Sequence, residues 1–139
     1  MLKLESLNKS FLPLEKELSK LAIWLIKKSK KGDIEFKKQL QKKADFYLEI
    51  YLVNSKTLAK NVYAYEFPKG FPNPETEATA LGEIYLNPDI IKEQGYSLSY
   101  MAIHGFLHLL GYEHDTKNDT IAMETLEHKL LEEFERTQP

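Results

Sequence analysis

The stretch His104-Gly105-Phe106-Leu107-His108-Leu109-Leu110-Gly111-Tyr112-Glu113-His114 decides how this chain is read. His104 and His108 lie four residues apart in an apolar segment. On a helix that spacing puts them about 6 Å apart along the axis and on nearly the same face, so both imidazoles can reach one ion. Gly111 is free to adopt positive φ, end the helix and turn the chain back, which brings His114 towards the same ion from outside the helix. With 4 histidines in 139 residues, a His-x3-His-x5-His pattern arises by chance roughly 0.003 times per chain of this kind. The chain has no cysteine, so a metal site must be built from histidine or carboxylate. Three imidazoles without thiolate suit zinc, and a tetrahedral ion with three protein ligands keeps a fourth place for water. Zinc lowers the pKa of such a water to about 7 and polarises a carbonyl or phosphoryl oxygen, so hydrolytic chemistry is expected.

The neighbouring residues narrow that chemistry. A zincin protease carries Glu directly after its first histidine as general base, and Gly105 stands there instead, so a peptidase on this metal lacks its base. The His/Cys/Cys ligand set of nucleotide deaminases is absent as well. Glu113 and Asp115 flank the third histidine and are candidate catalytic residues that orient an imidazole or take a proton, although acidic residues in a turn are ordinarily just solvated. His128, among Glu124, Glu127 and Glu132, reads as a surface residue.

Outward from the histidines, Ser97 or Ser99 is an N-cap for a helix running to Leu110, and a second helix is expected from about Asp119 to Phe134. Its apolar stripe is read as Ile121, Met123, Leu126, Leu130 and Leu131. Upstream, Ala80 to Asn87 reads as a strand, followed by a short helix from Pro88 to Gln94 closed by Gly95. Asp45 to Val53 alternates Phe46, Leu48, Ile50 and Leu52 with Tyr47, Glu49 and Tyr51, the pattern of a strand with one buried face. Val62 to Phe67 is a shorter strand, running into a loop over Pro68 to Pro74. Near the start, Met1 to Leu7 alternates weakly as a strand. Phe11 to Lys31 repeats apolar residues at helical spacing, with Ser10 as cap and Gly32 as stop. Residues 33 to 44 fit neither pattern.

At 139 residues and 42% hydrophobic, the chain is expected to form one hydrolase domain over residues 1 to 139. The longest purely apolar run, Leu21 to Ile26, is far too short to span a bilayer, so a soluble, cytoplasmic protein without membrane partners is expected. Charge is uneven. Residues 1 to 70 hold 15 Lys against 8 Asp plus Glu, a balance of +7, and residues 71 to 139 hold 4 basic against 13 acidic residues, a balance of -9. The run of Lys27, Lys28, Lys30, Lys31, Lys37, Lys38, Lys42 and Lys43 is either a solvated face or an anion-attracting surface for nucleic acid.

The 104–114 stretch closely resembles the H-G-x-L-H-L-x-G-Y-D-H signature of the YbeY family of bacterial rRNA maturation factors. Leu81-Gly82-Glu83-Ile84 resembles that family's L-G-D-I strand, Gly95-Tyr96-Ser97-Leu98 its G-H-S-L helix entry, and Asn61 to Tyr65 more loosely its D-V-L-S-F strand. The resemblance covers roughly residues 45 to 131. It implies an α+β fold in which a small mixed β-sheet packs against helices, with a zincin-like metal helix carrying two of three histidine ligands. It implies His104, His108 and His114 as the ligands of one zinc ion. It also implies a single-strand-specific endoribonuclease acting in 16S rRNA 3′-end maturation and ribosome quality control, with the small ribosomal subunit and its assembly factors as partners. The family's arginine in the loop before the central strand has no counterpart, because Arg136 is the single arginine. The shortened loop Ser55 to Lys60 offers Lys56 and Lys60 as substrate-binding cations, although an ammonium lacks the planar fork that grips phosphate at two points. The rivals are another metal-dependent hydrolase, such as a peptidase, and a metal-binding ribosome-assembly factor without catalytic activity.

Overall fold

The computed structural model describes residues 1–37, 45–66 and 78–139. Within them the order is β1 (Leu2–Ser6), a 3₁₀ turn (Lys9–Leu14), α1 (Glu15–Lys30), β2 (Asp45–Leu52), β3 (Val62–Glu66), β4 (Ala78–Leu86), α2 (Pro88–Glu93), α3 (Leu98–Leu109) and α4 (Lys117–Thr137). The four strands lie in the order β1-β2-β4-β3. β1 and β4 run parallel to β2 on either side of it, and β3 pairs antiparallel with β4. The sheet is therefore mixed and the fold is α+β, as the resemblance implied.

The alternation in β2 works as period 2 requires. Phe46, Leu48, Ile50 and Leu52 are buried, while Tyr47, Glu49 and Tyr51 are only partly so. The buried face meets Leu18, Leu21, Ala22 and Leu25 of α1 and Ala102 and Phe106 of α3, which close around Leu48, Ile50 and Ile84. β4 keeps the same partition through an irregularity. Tyr47 pairs with Ala80 and Leu48 with Gly82, so Leu81 is an extra residue on β4. Gly82 sits at φ +147, and a Cβ there would lie 2.2 Å from the Tyr65 carbonyl oxygen, so the bulge requires glycine. Beyond the bulge Ile84 and Leu86 point into the core while Glu83 and Tyr85 face outwards; a one-residue slip would reverse them.

Two expectations need correction. The helix read from Phe11 to Lys31 is two pieces, because Pro13 has no N–H to give and disfavours helical geometry in the residue before it. A 3₁₀ turn takes up Lys9–Leu14, and its cap is Asn8, whose side chain accepts from the Ser10 N–H, not Ser10 itself. In α4, which begins at Lys117 behind a Thr116 cap, Ile121 is 52% exposed. The buried line is Met123, Glu127, Leu130 and Phe134, at spacings of four, three and four, one face of a 3.6-residue repeat. The readings of Pro68 to Pro74, Lys38, Lys42 and Lys43 fall outside the described residues. No helix among those described is long and apolar enough to cross a membrane.

Candidate metal centre

Local chemistry starts and stops α3. The Ser97 hydroxyl accepts from the Tyr100 N–H at 3.0 Å, which decides for Ser97 over Ser99, the two N-caps the sequence offered. At the other end Gly111 adopts φ +97. Its N–H reaches the His108 carbonyl at 3.1 Å, and the Tyr112 N–H reaches the Leu107 carbonyl at 3.0 Å. This pair of bonds is the Schellman closure, and it turns the chain back across the end of the helix. Gly105 is needed for a different reason. A Cβ there would lie 2.9 Å from Ile84 Cγ2 and 3.3 Å from Val62 Cγ2, so the helix rests directly on β3 and β4. A carboxylate at this position would point into the sheet, which removes the base of a zincin peptidase for a structural reason.

On that support the three imidazoles converge. Their ring centres are 4.5 Å apart for His104 and His108, 5.0 Å for His108 and His114, and 5.7 Å for His104 and His114. One nitrogen from each lies within 4.8 Å of the others. The Nε2 atoms of His104 and His108 are 3.1 Å apart, near the ~3.3 Å between two corners of a tetrahedron with Zn–N bonds of about 2.0–2.1 Å.

The partners of the other ring nitrogens test whether a cation fits. His108 Nδ1 lies 2.8 Å from the Tyr112 carbonyl oxygen, which can only accept, so Nδ1 carries the proton and Nε2 presents its lone pair. His104 Nδ1 lies 2.5 Å from Glu127 Oε2 and donates to that carboxylate. The second carboxylate oxygen accepts from the Tyr100 hydroxyl at 3.2 Å. With both rings neutral, two lone pairs therefore face each other at 3.1 Å, an arrangement that a cation between them relieves. Carboxylate–histidine and carbonyl–histidine pairs of this kind fix the tautomer and raise the basicity of metal ligands. Burial is the largest cause that pushes the His108 pKa below its ordinary value, which keeps its lone pair available. Burial and then the charge of Glu127 raise the Tyr100 hydroxyl to about 12, so it remains a donor.

Glu127 is the residue the sequence reading missed. It is 1% exposed, and its signal was present: a carboxylate in register with Met123, Leu130 and Phe134 on the buried face of α4. Such a residue needs a partner, because an isolated buried charge is costly. His128, one position on, is exposed and packs its ring 5.2 Å from that of Tyr100.

The histidines form the floor of a groove. On one side a cavity of about 500 Å³ is lined by Tyr96, Tyr100, Met101, Met123, Glu124 and Glu127. On the other a cavity of about 460 Å³ is lined by Lys60, Tyr63, Glu66, His108, Tyr112 and Glu113. Asn61, Val62, His104 and His114 line both cavities. Lys60 thus reaches the groove, with its ammonium 5.2 Å from the centre of the Tyr63 ring; Lys56 lines neither cavity. Glu113 is on the groove wall, whereas Asp115 is not. A hydrogen bond from the protonated Glu113 carboxyl to Asp115, and then the like charge of Asp115, raise the Glu113 pKa. The α1 lysines lie elsewhere: Lys28 pairs with Glu133 at 3.2 Å and Lys30 with Asp45 at 3.2 Å.

A mixed sheet backed by helices, with two histidines on one helix and a third just past its glycine stop, defines a zincin-like class of metal-site protein. The family model described as Endoribonuclease YbeY matches residues 15–135, and the chain belongs to that family. Among curated relatives, the Endoribonuclease YbeY of Nitrobacter hamburgensis is 36% identical over 72 residues, covering 46% of this chain and 38% of that protein. That of Acholeplasma laidlawii is 38% identical over 69 residues, covering 44% and 50%. That of Mycobacterium tuberculosis is 40% identical over 76 residues, covering 48% and 43%. The matched segment spans half or less of the length of each of these relatives.

Proposed function

We propose that this protein is a zinc-dependent endoribonuclease that cuts single-stranded RNA, acting on 16S rRNA 3′-end maturation in the cytoplasm with the small ribosomal subunit and its assembly factors. The observation that carries the reading is the pair of Nε2 lone pairs held face to face by Glu127 and the Tyr112 carbonyl on the floor of an open groove. Family membership and the printed names of the relatives point the same way. His104, His108 and His114 would hold the ion. When bound, zinc supplies a Lewis acid for a phosphoryl oxygen and an acidified water. The rest is done by the protein. Glu127 orients His104, and Tyr100 satisfies the carboxylate's second oxygen. Lys60 takes a backbone phosphate at the groove wall. Glu113 takes the proton given up by the attacking oxygen, with Asp115 as its neighbour. Two cavities that both reach the histidines suit a strand that is cut internally.

The purified protein should contain one zinc per chain and cleave an unstructured oligoribonucleotide. Chelator should abolish cleavage, and added zinc should restore it. Cleavage that is indifferent to chelator would remove this reading. A second reading rests on the chain's single arginine, Arg136, which is exposed at the end of α4 and bonded to Glu132. Without a guanidinium at the groove the protein would act as a metal-loaded assembly factor, binding ribosomal subunits and cutting no RNA.

A further inference from the structure

We infer that Tyr96 is the stacking platform of a nucleobase subsite, holding an unpaired base next to the scissile phosphate. The inference deepens the endoribonuclease reading and rests on it. Tyr96 is 51% exposed and lines the 500 Å³ cavity that His104 and His114 also line. A large ring left in water beside a candidate reaction centre is an open contact surface. Its position is set before any ligand arrives. Gly95 turns the chain at φ +83, the Tyr96 N–H is tied to the Ile91 carbonyl at 3.0 Å, and the next residue, Ser97, caps α3. The Tyr96 ring lies nearly parallel to that of Tyr100, with centres 6.0 Å apart and planes 10° apart. Tyr100 is held in turn by Glu127 and by the ring of His128. A planar group placed against Tyr96 therefore extends a stack that ends at the carboxylate orienting His104.

Charge decides which part of the nucleotide belongs here. Among the described residues this cavity is lined by Glu124 and Glu127 and by no lysine or arginine, so these side chains disfavour a phosphate. The opposite cavity carries Lys60. Thioether and phenol surfaces from Met101, Met123 and the two tyrosines suit the face of a neutral, flat base. The strand would thus cross the histidines with phosphate towards Lys60 and one base towards Tyr96.

The test uses the zinc-loaded full chain, Tyr96→Ala and Tyr96→Phe, and a single-stranded oligoribonucleotide whose cleavage position has been mapped. Abasic sugars are placed singly around that position. Tyr96→Ala should raise KM on the order of tenfold, within the range of base–aromatic stacking, with kcat and zinc content unchanged, and Tyr96→Phe should match the parent. One abasic position should cause the same rise in the parent protein and add nothing to Tyr96→Ala. An unchanged KM, a fall in kcat alone, or abasic and Ala effects that simply add would each overturn the assignment. A parent protein that cuts no RNA refutes the nuclease reading separately. The subsite is then judged with an oligonucleotide carrying 2-aminopurine, whose fluorescence the parent should quench and Tyr96→Ala should not; equal signals from the two would overturn it.

Discussion

The open face of the sheet and the histidine groove are both crowded with polar side chains, and they resolve the crowding in opposite ways. On the sheet, Glu49 and Glu83 stand opposite each other on adjacent strands, which ought to repel. Tyr47 donates to Glu49 at 3.0 Å, Tyr85 donates to Glu83 at 2.7 Å, and Tyr51 also donates to Glu49. Lys3 stands 3.9 Å from Glu49. Donors and acceptors there satisfy one another. In the groove, Glu127 and the Tyr112 carbonyl take one nitrogen from each of two imidazoles and leave the other nitrogen facing its neighbour. A cluster that pairs internally contributes to the fold, whereas one that leaves lone pairs converging is made to receive a cation.

The largest way to break this contrast is His108→Ala. It removes one of three converging nitrogens, and zinc affinity should fall by more than about 100-fold, beyond the range expected for residues that only orient ligands. RNA cleavage should disappear with it, as read by elemental analysis and the cleavage assay. Gly82→Ala attacks the element that separates the two clusters. With its φ and the Tyr65 carbonyl in the way, it should cost about 3 kcal/mol in urea unfolding. Glu127→Gln keeps the shape and removes the charge. Zinc affinity should drop about 10- to 100-fold, measured by competition with a chromogenic chelator, and the fold should persist. The smallest effect sharpens the sheet side. Burial, followed by the bond to Glu49, raises the Tyr47 pKa from 10.0 to about 12. A phenol with a raised pKa favours folding in its neutral form. That contribution is whole below pH 10 and is lost as pH rises through about 12. Tyr47→Phe should remove about 1 kcal/mol at neutral pH and flatten this alkaline loss, followed by thermal unfolding across the pH range.

Elements whose signals are local were legible without coordinates. The period-2 alternation of β2, the Ser97 cap and the Gly111 stop of α3 depend on residues within a few positions of one another, and each stands where the pattern placed it. The 3₁₀ turn before α1 was hidden because helical spacing continues through Pro13, and periodicity does not register a missing N–H. Ile121 was assigned to the stripe of α4 by its type alone. Its exposure is decided by how α4 rolls against α3, which puts Glu127 on the buried side instead. Of the site's carboxylates, the sequence pointed to Glu113 and Asp115 because they are neighbours of His114, and passed over Glu127 because it is 23 residues from His104.

The chain's own order of residues determined that two histidines would share a helix face and that a third would return past a glycine, since helical geometry and a positive-φ turn are set within a dozen residues. Only the tertiary structure decided which nitrogen His104 presents. That choice depends on the partner of the opposite nitrogen, and for His104 the partner arrives on a different helix, whose position is fixed by burying Met123, Leu130 and Phe134.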